Sequence, residues 1–339
     1  MPPSLVKRHY LEVHEALRNF SVRVRRHSYK GYSGPWIENV WISHFKPLAD
    51  GADDLSRHFG PFVPLFVPWL DMLLMTEPGK RWYTYSAKFQ ATLARVIRRD
   101  IIYITVSQYD GGLNKIPLQD IRTVLVLSAG GYGHVPVPLL GKSQIPIDSP
   151  PMAARNYSLS FVGNFHANPR NTTRSMREIL SERVQYAATA TSKEIFTGWA
   201  GDKWREVVVA SRMSLCPRGY GRTSFHLAEV VQLGHIPVHV FEDQPWIPYR
   251  RAFERIGFSI RLNETPTALE KLFGASNAEL ETREAAARQL RTLWTLDGTM
   301  AEIARFMRGD SDRLLACQRL PTVGLVSKPR WGHSLGHAY

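Results

Sequence analysis

The sequence predicts an α/β protein of two domains, each built on a parallel β-sheet with helices on both faces. Three observations support this fold class. Apolar strands alternate with amphipathic helices along most of the chain, which is the pattern of βαβ units. A stretch rich in proline and glycine, residues 135–151, separates two such series. The length of 339 residues also suits two domains of ordinary size.

The first series contains three predicted strands and one predicted helix. The apolar run at 62–70 is interrupted by proline and predicts a buried strand followed by a loop. Residues 86–99 carry apolar side chains at helical spacing. Two further strands are predicted at 100–106 and 122–128, and each ends in a glycine-rich stretch. Ligands of parallel sheets bind at such strand ends.

The proline-rich stretch marks the expected domain boundary, because proline excludes regular helix there. We therefore expect an N-terminal domain over residues 1–150 and a C-terminal domain over 151–317. Residues 318–339 are polar, with two histidines and three glycines. They are expected to form a tail that is partly disordered or packed back across the other domain.

The second series predicts a longer succession of strands and helices. Gly234 is placed to end one of the helices, and Ser276 with Glu279 forms a capping box that begins another. The predicted elements are a strand at 157–162, a helix capped by Thr172 or Thr173 and running to about 184, a strand at 212–216, a loop at 217–222, a helix capped by Thr223 or Ser224 and running to 233, a strand at 235–241, a long helix after 276 and a helix at 299–308.

Composition limits the class of function. The net charge of +13, from 43 Lys+Arg and 30 Asp+Glu, points to an anionic partner. The excess is spread evenly, and no nucleic-acid-binding motif accompanies it, so nucleic acid is not the expected partner. Two cysteines exclude a disulfide-dense scaffold. The sequence shows no signal peptide and no apolar run of about 20 residues, so the chain as written is expected to be soluble, with an upstream anchor left open.

Residues 212–241 carry the most informative pattern, a strand, a loop, a helix and a second strand. Gly219 and Gly221 allow close backbone approach to a ligand, and the following helix directs its free N–H groups at the same place. Arg218 and Arg222 flank the loop and could clamp a diphosphate. An ordinary strand-to-helix turn with solvated arginines fits equally well. Glu229, one to two turns into the helix, suits ribose hydroxyls or a plain surface position.

Three linked blocks in this region give the sequence a family resemblance. Residues 211–221, 224–229 and 232–238 resemble, in order and spacing, the motifs of exostosin-type glycosyltransferases, glycosyltransferase family 47. More distant similarities extend along most of the chain. They lie at residues 62–68, 99–104, 135–138 and 161–164.

The resemblance implies a GT-B architecture, in which two Rossmann-like domains face each other across a cleft. Such enzymes take a sugar from a nucleotide sugar, usually a UDP-sugar, and pass it to a glycan acceptor with inversion. The N-terminal domain would receive the acceptor and the C-terminal domain the donor, without a metal ion. The resemblance also implies the Golgi or another secretory lumen, and it allows a homo- or hetero-dimer and membrane association through an upstream anchor.

Carried over by position, the resemblance assigns site residues. Arg218 is the first choice for stabilising the leaving diphosphate, with Arg174 and Arg222 next, and Asp110 is the candidate base. An Asx turn explains Asp110 equally well, and His134 and His44 are weaker alternatives. The expected donor-binding residues are Gly163, Asn164, Arg174, Arg218, Gly219, Gly221, Arg222, Ser224, Glu229 and Pro237.

The chain also departs from the family pattern. His226 and His134 stand where the family has Arg and Asp, His235 stands where it often has Cys, and Ile101 replaces a His. These changes keep open a second hypothesis, a non-catalytic glycan-binding or partner subunit.

No metal site is expected from the two motifs that could suggest one. Asp310-Ser311-Asp312 follows the last helix and not a strand. The spacing of His333 and His337 would suit a helix, but the glycines around them disfavour one.

Overall fold

A computed structural model describes residues 2–20, 36–74, 85–113, 123–164 and 175–318. These residues form two compact units. The first comprises the chain up to Gly141 together with the segment that starts at Leu296, and the second comprises Lys142–Thr295. The sequence had suggested that residues 296–317 belong with the C-terminal domain. The contacts of this segment instead join it to the first unit.

The first unit contains a sheet of four parallel strands in the sequential order β1-β2-β3-β4. Strand β1 is shorter than expected, because the chain after Pro64 leaves the sheet and then begins a helix where a loop had been expected. The elements are α1 (Pro3–Leu17), α2 (Ile37–Gly51), α3 (Ser56–Phe59), β1 (Val63–Pro64), α4 (Trp69–Leu74), α5 (Ala87–Val96), β2 (Tyr103–Ser107), β3 (Val124–Ser128), β4 (Val135–Pro136) and a helix at Leu296–Arg308.

An aromatic cluster fills the core of the first unit beside the sheet. Trp41, Phe45, Phe59 and Phe66 are buried and pack with ring centroids 4.6 to 6.5 Å apart. Edge-to-face and tilted pairs of this kind add to the free energy gained from burying their area. The helix at Leu296–Arg308 packs in the same unit.

A buried carboxyl group ties the start of α2 to the end of β2. Glu38, fully buried, accepts a hydrogen bond from Gln108 N at 2.7 Å and another from Leu70 N at 2.7 Å. Asp71 lies close by and accepts from the side chains of Trp36 and Asn39, each at 2.8 Å. Burial raises the pKa of Glu38 to about 8, with the two backbone donors opposing and Asp71 adding to the shift.

This raised pKa predicts that the first unit loses stability as the pH rises. The folded chain holds the proton on Glu38 more tightly than the unfolded chain, so its contribution is complete below pH 4.5 and lost as the pH rises through about 8. We expect the melting temperature of the full chain to fall between pH 6 and pH 9. Glu38→Gln should flatten that slope, whereas Glu12→Gln on the exposed face of α1 should leave it unchanged. An equal slope in wild type and Glu38→Gln would contradict this.

The second unit contains a sheet of five parallel strands in the order β6-β5-β7-β8-β9. The α/β class with parallel sheets is therefore confirmed for both units, and the strands expected at 157–162, 212–216 and 235–241 are present within two residues. The elements are β5 (Leu159–Val162), α6 (Met176–Thr191), β6 (Ile195–Gly198), α7 (Trp204–Val209), β7 (Ser214–Pro217), α8 (Phe225–Gln232), β8 (Pro237–Phe241), α9 (Arg250–Ile256), β9 (Phe258–Arg261), α10 (Thr265–Phe273) and α11 (Asn277–Leu290). The helix at Leu296–Arg308 is α12.

Apolar residues on one face of this sheet pack against α6, α10 and α11. The cluster includes Phe161 and Leu215 from the strands, Leu180 from α6 and Leu269 from α10. Helices here largely begin and end at the expected signals: Ser276 caps α11, and Gly234, at φ +75°, follows the end of α8. Among the described residues, no helix of either unit is both long and apolar enough to cross a membrane.

Candidate functional site

The strand order of the second unit creates a crevice between β5 and β7. From β5 the chain passes to β6 on one side, and then crosses to β7 on the other side of β5. The loops that leave β5 and β7 therefore diverge at the carboxyl edge of the sheet. Such a topological switch point is where ligands bind in open parallel sheets. The two loops here contain Gly163 and Asn164 after β5, and residues 218–223 after β7.

Arg177, in the first turn of α6, holds these two loops together. Its Nε donates to the carbonyl oxygen of Arg218 at 3.1 Å, and its Nη1 donates to the carbonyl oxygen of Asn164 at 3.1 Å. The guanidinium carbon lies 5.6 Å from the centroid of the Phe161 ring, so the ring supports one face. These contacts fix the guanidinium at the mouth of the crevice.

The charge of Arg177 has no carboxylate within ion-pairing distance among the described residues, and the side chain is half-buried. Burial lowers the pKa of Arg177, and the neighbouring Tyr220 opposes that shift. A partly desolvated cation of this kind favours a bound anion. Gly219 leaves space beside it: an added Cβ would lie 4.0 Å from Nη2, and the backbone of Gly219 does not require glycine.

The two predicted diphosphate arginines of the β7 loop are already paired with carboxylates of the loop after β8. Arg218 Nη1 donates to Glu242 at 2.9 Å. Arg222 donates twice to Asp243, at 2.9 and 2.6 Å. Burial opposes ionisation of Asp243, but the bonds and charge of Arg222 prevail and lower its pKa. Each arginine would have to share or exchange its carboxylate to hold a phosphate.

Ser224 occupies the position before α8, as expected, but its side chain does not cap the helix. Its Oγ is buried and has no hydrogen-bond partner among the described residues. An unsatisfied buried hydroxyl costs free energy, so a ligand that supplies a partner would be stabilised there. The Ser224 hydroxyl lies at the N-terminal end of α8, where the helix dipole also attracts negative charge.

Glu229 lies on α8, partly exposed, beside His226. Its Oε2 is 3.6 Å from Nδ1 of His226, and no other side chain of the described residues pairs with it. The carboxylate is thus open to a ligand near the start of the helix.

Three predicted site residues fall elsewhere or cannot be placed. Pro237 begins β8 at the amino edge of the sheet, opposite Ser214 of β7, and its role in the site stays a prediction. Arg174 lies outside the described residues. Asp110 belongs to the first unit, in the loop after β2.

The loop of Asp110 packs against the loop after β3. A Cβ on Gly130 would lie 2.2 Å from the carbonyl oxygen of Tyr109 and 2.7 Å from Cα of Asp110, so only glycine fits there. Among the alternative bases, His134 Nδ1 accepts from Val126 N at 3.0 Å, and burial lowers its pKa. That bond gives His134 a structural role, whereas the role of Asp110 stays a prediction.

The acidic motif after the last helix is engaged in ion pairs. Asp310 pairs with Arg308 at 2.6 Å, and Asp312 pairs with Arg305 at 2.7 Å. Within the described ranges, no three His, Cys, Asp or Glu side chains are grouped as metal ligands would be. His333 and His337 lie outside the described residues.

Sequence reasoning missed Arg177 because it placed the start of α6 too early. The helix begins after Ser175, whose Oγ accepts from Glu178 N at 3.3 Å while Glu178 bonds back to Ser175 N. This capping box is visible in the sequence, and it would have put Arg177 in the first turn.

No family model matches the chain, and no curated protein matches its sequence. The exostosin-type assignment therefore stays a prediction from the three motifs.

Several solved structures have a partly similar chain path. TarM has a TM-score of 0.39 and 7% identity, over 68% of this chain and 48% of TarM, so the match spans about half the length of that protein. MurG from Acinetobacter baumannii has a TM-score of 0.34 and 12% identity, over 63% and 70%. UGT89C1 from Arabidopsis thaliana, in complex with quercetin, has a TM-score of 0.30 and 14% identity, over 90% and 96%. At TM-scores below 0.5, these similarities assign neither substrate nor reaction to this chain.

Proposed function

We propose that the chain is a glycosyltransferase that moves a sugar from a UDP-sugar to a hydroxyl group of a glycan acceptor, with inversion. The observation that carries the proposal is Arg177, a half-buried cation without a carboxylate partner among the described residues, at the switch point between β5 and β7. The start of α8 and the Ser224 hydroxyl offer further groups for an anion at the same edge. The motif resemblance supplies the donor class and, with it, a Golgi location.

The proposed reaction separates charge in a way that this site can stabilise. The acceptor oxygen bonds to C1 of the sugar as the bond from C1 to the diphosphate oxygen breaks. The electron pair passes to the leaving UDP, and the acceptor proton passes to a base, for which Asp110 is the candidate. Arg177 would meet the negative charge that develops on the diphosphate. Arg218 would assist after sharing its contact with Glu242, and no metal is part of the proposal.

Titration of the full chain with UDP in the presence of EDTA tests the donor site. We expect wild type to bind UDP. In Gly219→Val the dissociation constant should be roughly 10- to 100-fold higher, because the added side chain blocks the open edge of Arg177. Gly274→Val, at the C-terminal end of α10, is the matched control, since an added Cβ lies 3.4 Å from a carbonyl oxygen at both positions, that of Thr223 at Gly219 and that of Lys271 at Gly274. Equal UDP affinity in both variants would contradict this placement of the diphosphate.

The alternative is a non-catalytic glycan-binding or partner subunit. The pairing of Arg218 with Glu242 and of Arg222 with Asp243 favours it, because both arginines are neutralised in the free chain. Turnover distinguishes the two functions. A panel of UDP-sugars with glycan acceptors should give a product with inverted anomeric configuration if the chain is an enzyme, and no product with any donor if it is not.

A further inference from the structure

A chain of polar groups runs from the sheet of the second unit to Glu229. Ser160 on β5 donates through Oγ to Ser214 Oγ on β7 at 3.3 Å. Ser214 Oγ is 3.2 Å from Nε2 of His226. The opposite ring nitrogen, Nδ1, is 3.6 Å from Oε2 of Glu229. The four groups therefore link two adjacent strands to α8 in one sequence of contacts.

Solvent exposure increases along this series of four side chains, from Ser160 to Glu229. Ser160 and Ser214 are fully buried, whereas the side chains of His226 and Glu229 are 12% and 27% exposed. Solvent therefore reaches the carboxylate and not the hydroxyls, so the serines take their hydrogen bonds from within the protein. Glu229 is the end at which a ligand can join.

The ring of His226 has little freedom to turn away. Phe161 meets it edge-to-face with centroids 6.3 Å apart, and Trp204 lies 6.1 Å from it. The two aromatic rings define the plane of the imidazole, and Ser214 defines which edge faces the sheet. The Nδ1 edge is thereby directed at Glu229.

The Ser214 hydroxyl has two acceptors within reach, Nε2 of His226 at 3.2 Å and the carbonyl oxygen of Ser160 at 3.5 Å. Because the Glu229 carboxylate only accepts hydrogen bonds, the arrangement that suits all four groups places a proton on Nδ1 and has Nε2 accept from Ser214. Nδ1–H then points toward the carboxylate. The imidazole meets one carboxylate oxygen, Oε2, which leaves Oε1 and the remaining lone pairs of Glu229 to accept hydroxyl donors.

We propose that His226 is a positioning residue, which holds the Glu229 carboxylate in the orientation that accepts the ribose hydroxyls of the donor. The proposal rests on the proposed function, since it takes the ribose of a nucleoside diphosphate as the ligand of Glu229. It adds a role for the histidine that departs from the family pattern, and it explains why Ser160 and Ser214 place hydroxyls in the interior of the sheet.

Comparison of UDP with 2′-deoxy-UDP measures this role directly. We expect wild type to bind UDP roughly 10- to 100-fold more tightly than the deoxy form, the value of a hydrogen bond to a charged group. His226→Phe should weaken UDP binding and bring the ratio near one, and it should weaken binding of 2′-deoxy-UDP less, because that ligand has only the 3′-hydroxyl contact with Glu229 to lose. His226→Asn, whose amide N–H can replace Nδ1–H, should keep part of the preference for UDP over 2′-deoxy-UDP. His226→Gln, whose amide replaces Nε2, should not.

Glu229→Gln separates the possible failures. If it abolishes the preference for UDP and His226→Phe keeps it, the positioning role is overturned and the donor site stands. A ratio near one in wild type overturns the contact between Glu229 and ribose, and with it the role of His226. Absence of any UDP binding by wild type overturns the proposed function itself. If His226→Phe fails to fold, the contrast between the Asn and Gln variants gives the same reading.

Discussion

Replacing Arg177 by alanine is expected to lower UDP affinity and kcat/KM by on the order of 100-fold or more. The guanidinium is the cation at the crevice between β5 and β7 that has no carboxylate partner in the described part of the chain, whereas Arg218 and Arg222 are paired with carboxylates, so its loss removes charge that these two arginines do not fully replace. The same change also removes one hydrogen bond from each of the carbonyl groups of Asn164 and Arg218. Both effects act on the donor site, which is why this substitution has the largest expected effect on function.

Two companion variants isolate the charge from the bridging contacts. Arg177→Lys keeps the charge but cannot bond both carbonyl groups in the fixed geometry of a guanidinium, so an intermediate loss is expected. Lys193→Ala removes one positive charge from the exposed residue before β6, at the amino edge of the same sheet, and should leave UDP binding unchanged. The assignment fails if folded Arg177→Ala binds UDP as wild type does, or if Lys193→Ala weakens binding equally.

Glu284→Gln is expected to destabilise the second unit by about 3–5 kcal/mol, as the breaking of a buried ion pair does. Glu284 pairs with Arg155 at 2.7 Å and with Arg288 at 3.0 Å, and His235 lies 3.4 Å away. The side chain of Arg155 is only 1% exposed, so its charge would be left buried without a counter-charge, held among the described residues only by the carbonyl oxygens of Pro150 and Ser211. Urea unfolding of the full chain measures the loss. A double variant, Arg155→Met with Glu284→Met, should recover much of it, because no buried charge is left unpaired and Arg288 is exposed to solvent.

The same carboxylate predicts how the second unit responds to acid. Burial opposes its ionisation, but the contacts with His235 and Arg155 prevail and lower the pKa of Glu284 to about 2. Its contribution to stability is therefore complete above pH 4.5 and is lost as the pH falls toward 2. Wild type should lose stability over this interval more steeply than the double Met variant. Parallel pH profiles would show that Glu284 is not the group responsible.

Local signals in the sequence predicted much of the second unit. The apolar runs that became β5, β7 and β8 are bounded by turn residues, and Gly234 ended α8 as its position suggested. The length of strand β1 could not be predicted in the same way. An apolar run with two prolines is buried whether or not all of its residues pair with the neighbouring strand. Such patterns indicate which side chains face the core and whether they repeat with the period of a helix or of a strand, and both signals are carried by neighbouring residues in the sequence.

The site could be predicted only in part, because its geometry depends on strand order. The sequence pointed to the loop after β7, yet nothing local shows that β5 and not β6 lies beside it. The pairing of Arg218 with Glu242 follows from the parallel register of β7 and β8, in which Pro217 lies opposite Val240. Pro237 was assigned to the site by motif position alone, and its place at the start of β8, opposite Ser214, leaves that role a prediction.

The return of α12 to the first unit affects how the chain can fold during synthesis. Residues 142–295 form a continuous segment, whereas the first unit needs residues on both sides of it. Phe306 of α12 stacks on Phe62 at a centroid distance of 6.4 Å, so part of that unit's packing depends on residues translated after the whole of residues 142–295. On the ribosome, the second unit can therefore complete its sheet first, although it lies later in the sequence. A nascent chain released before α12 would carry an unfinished first unit.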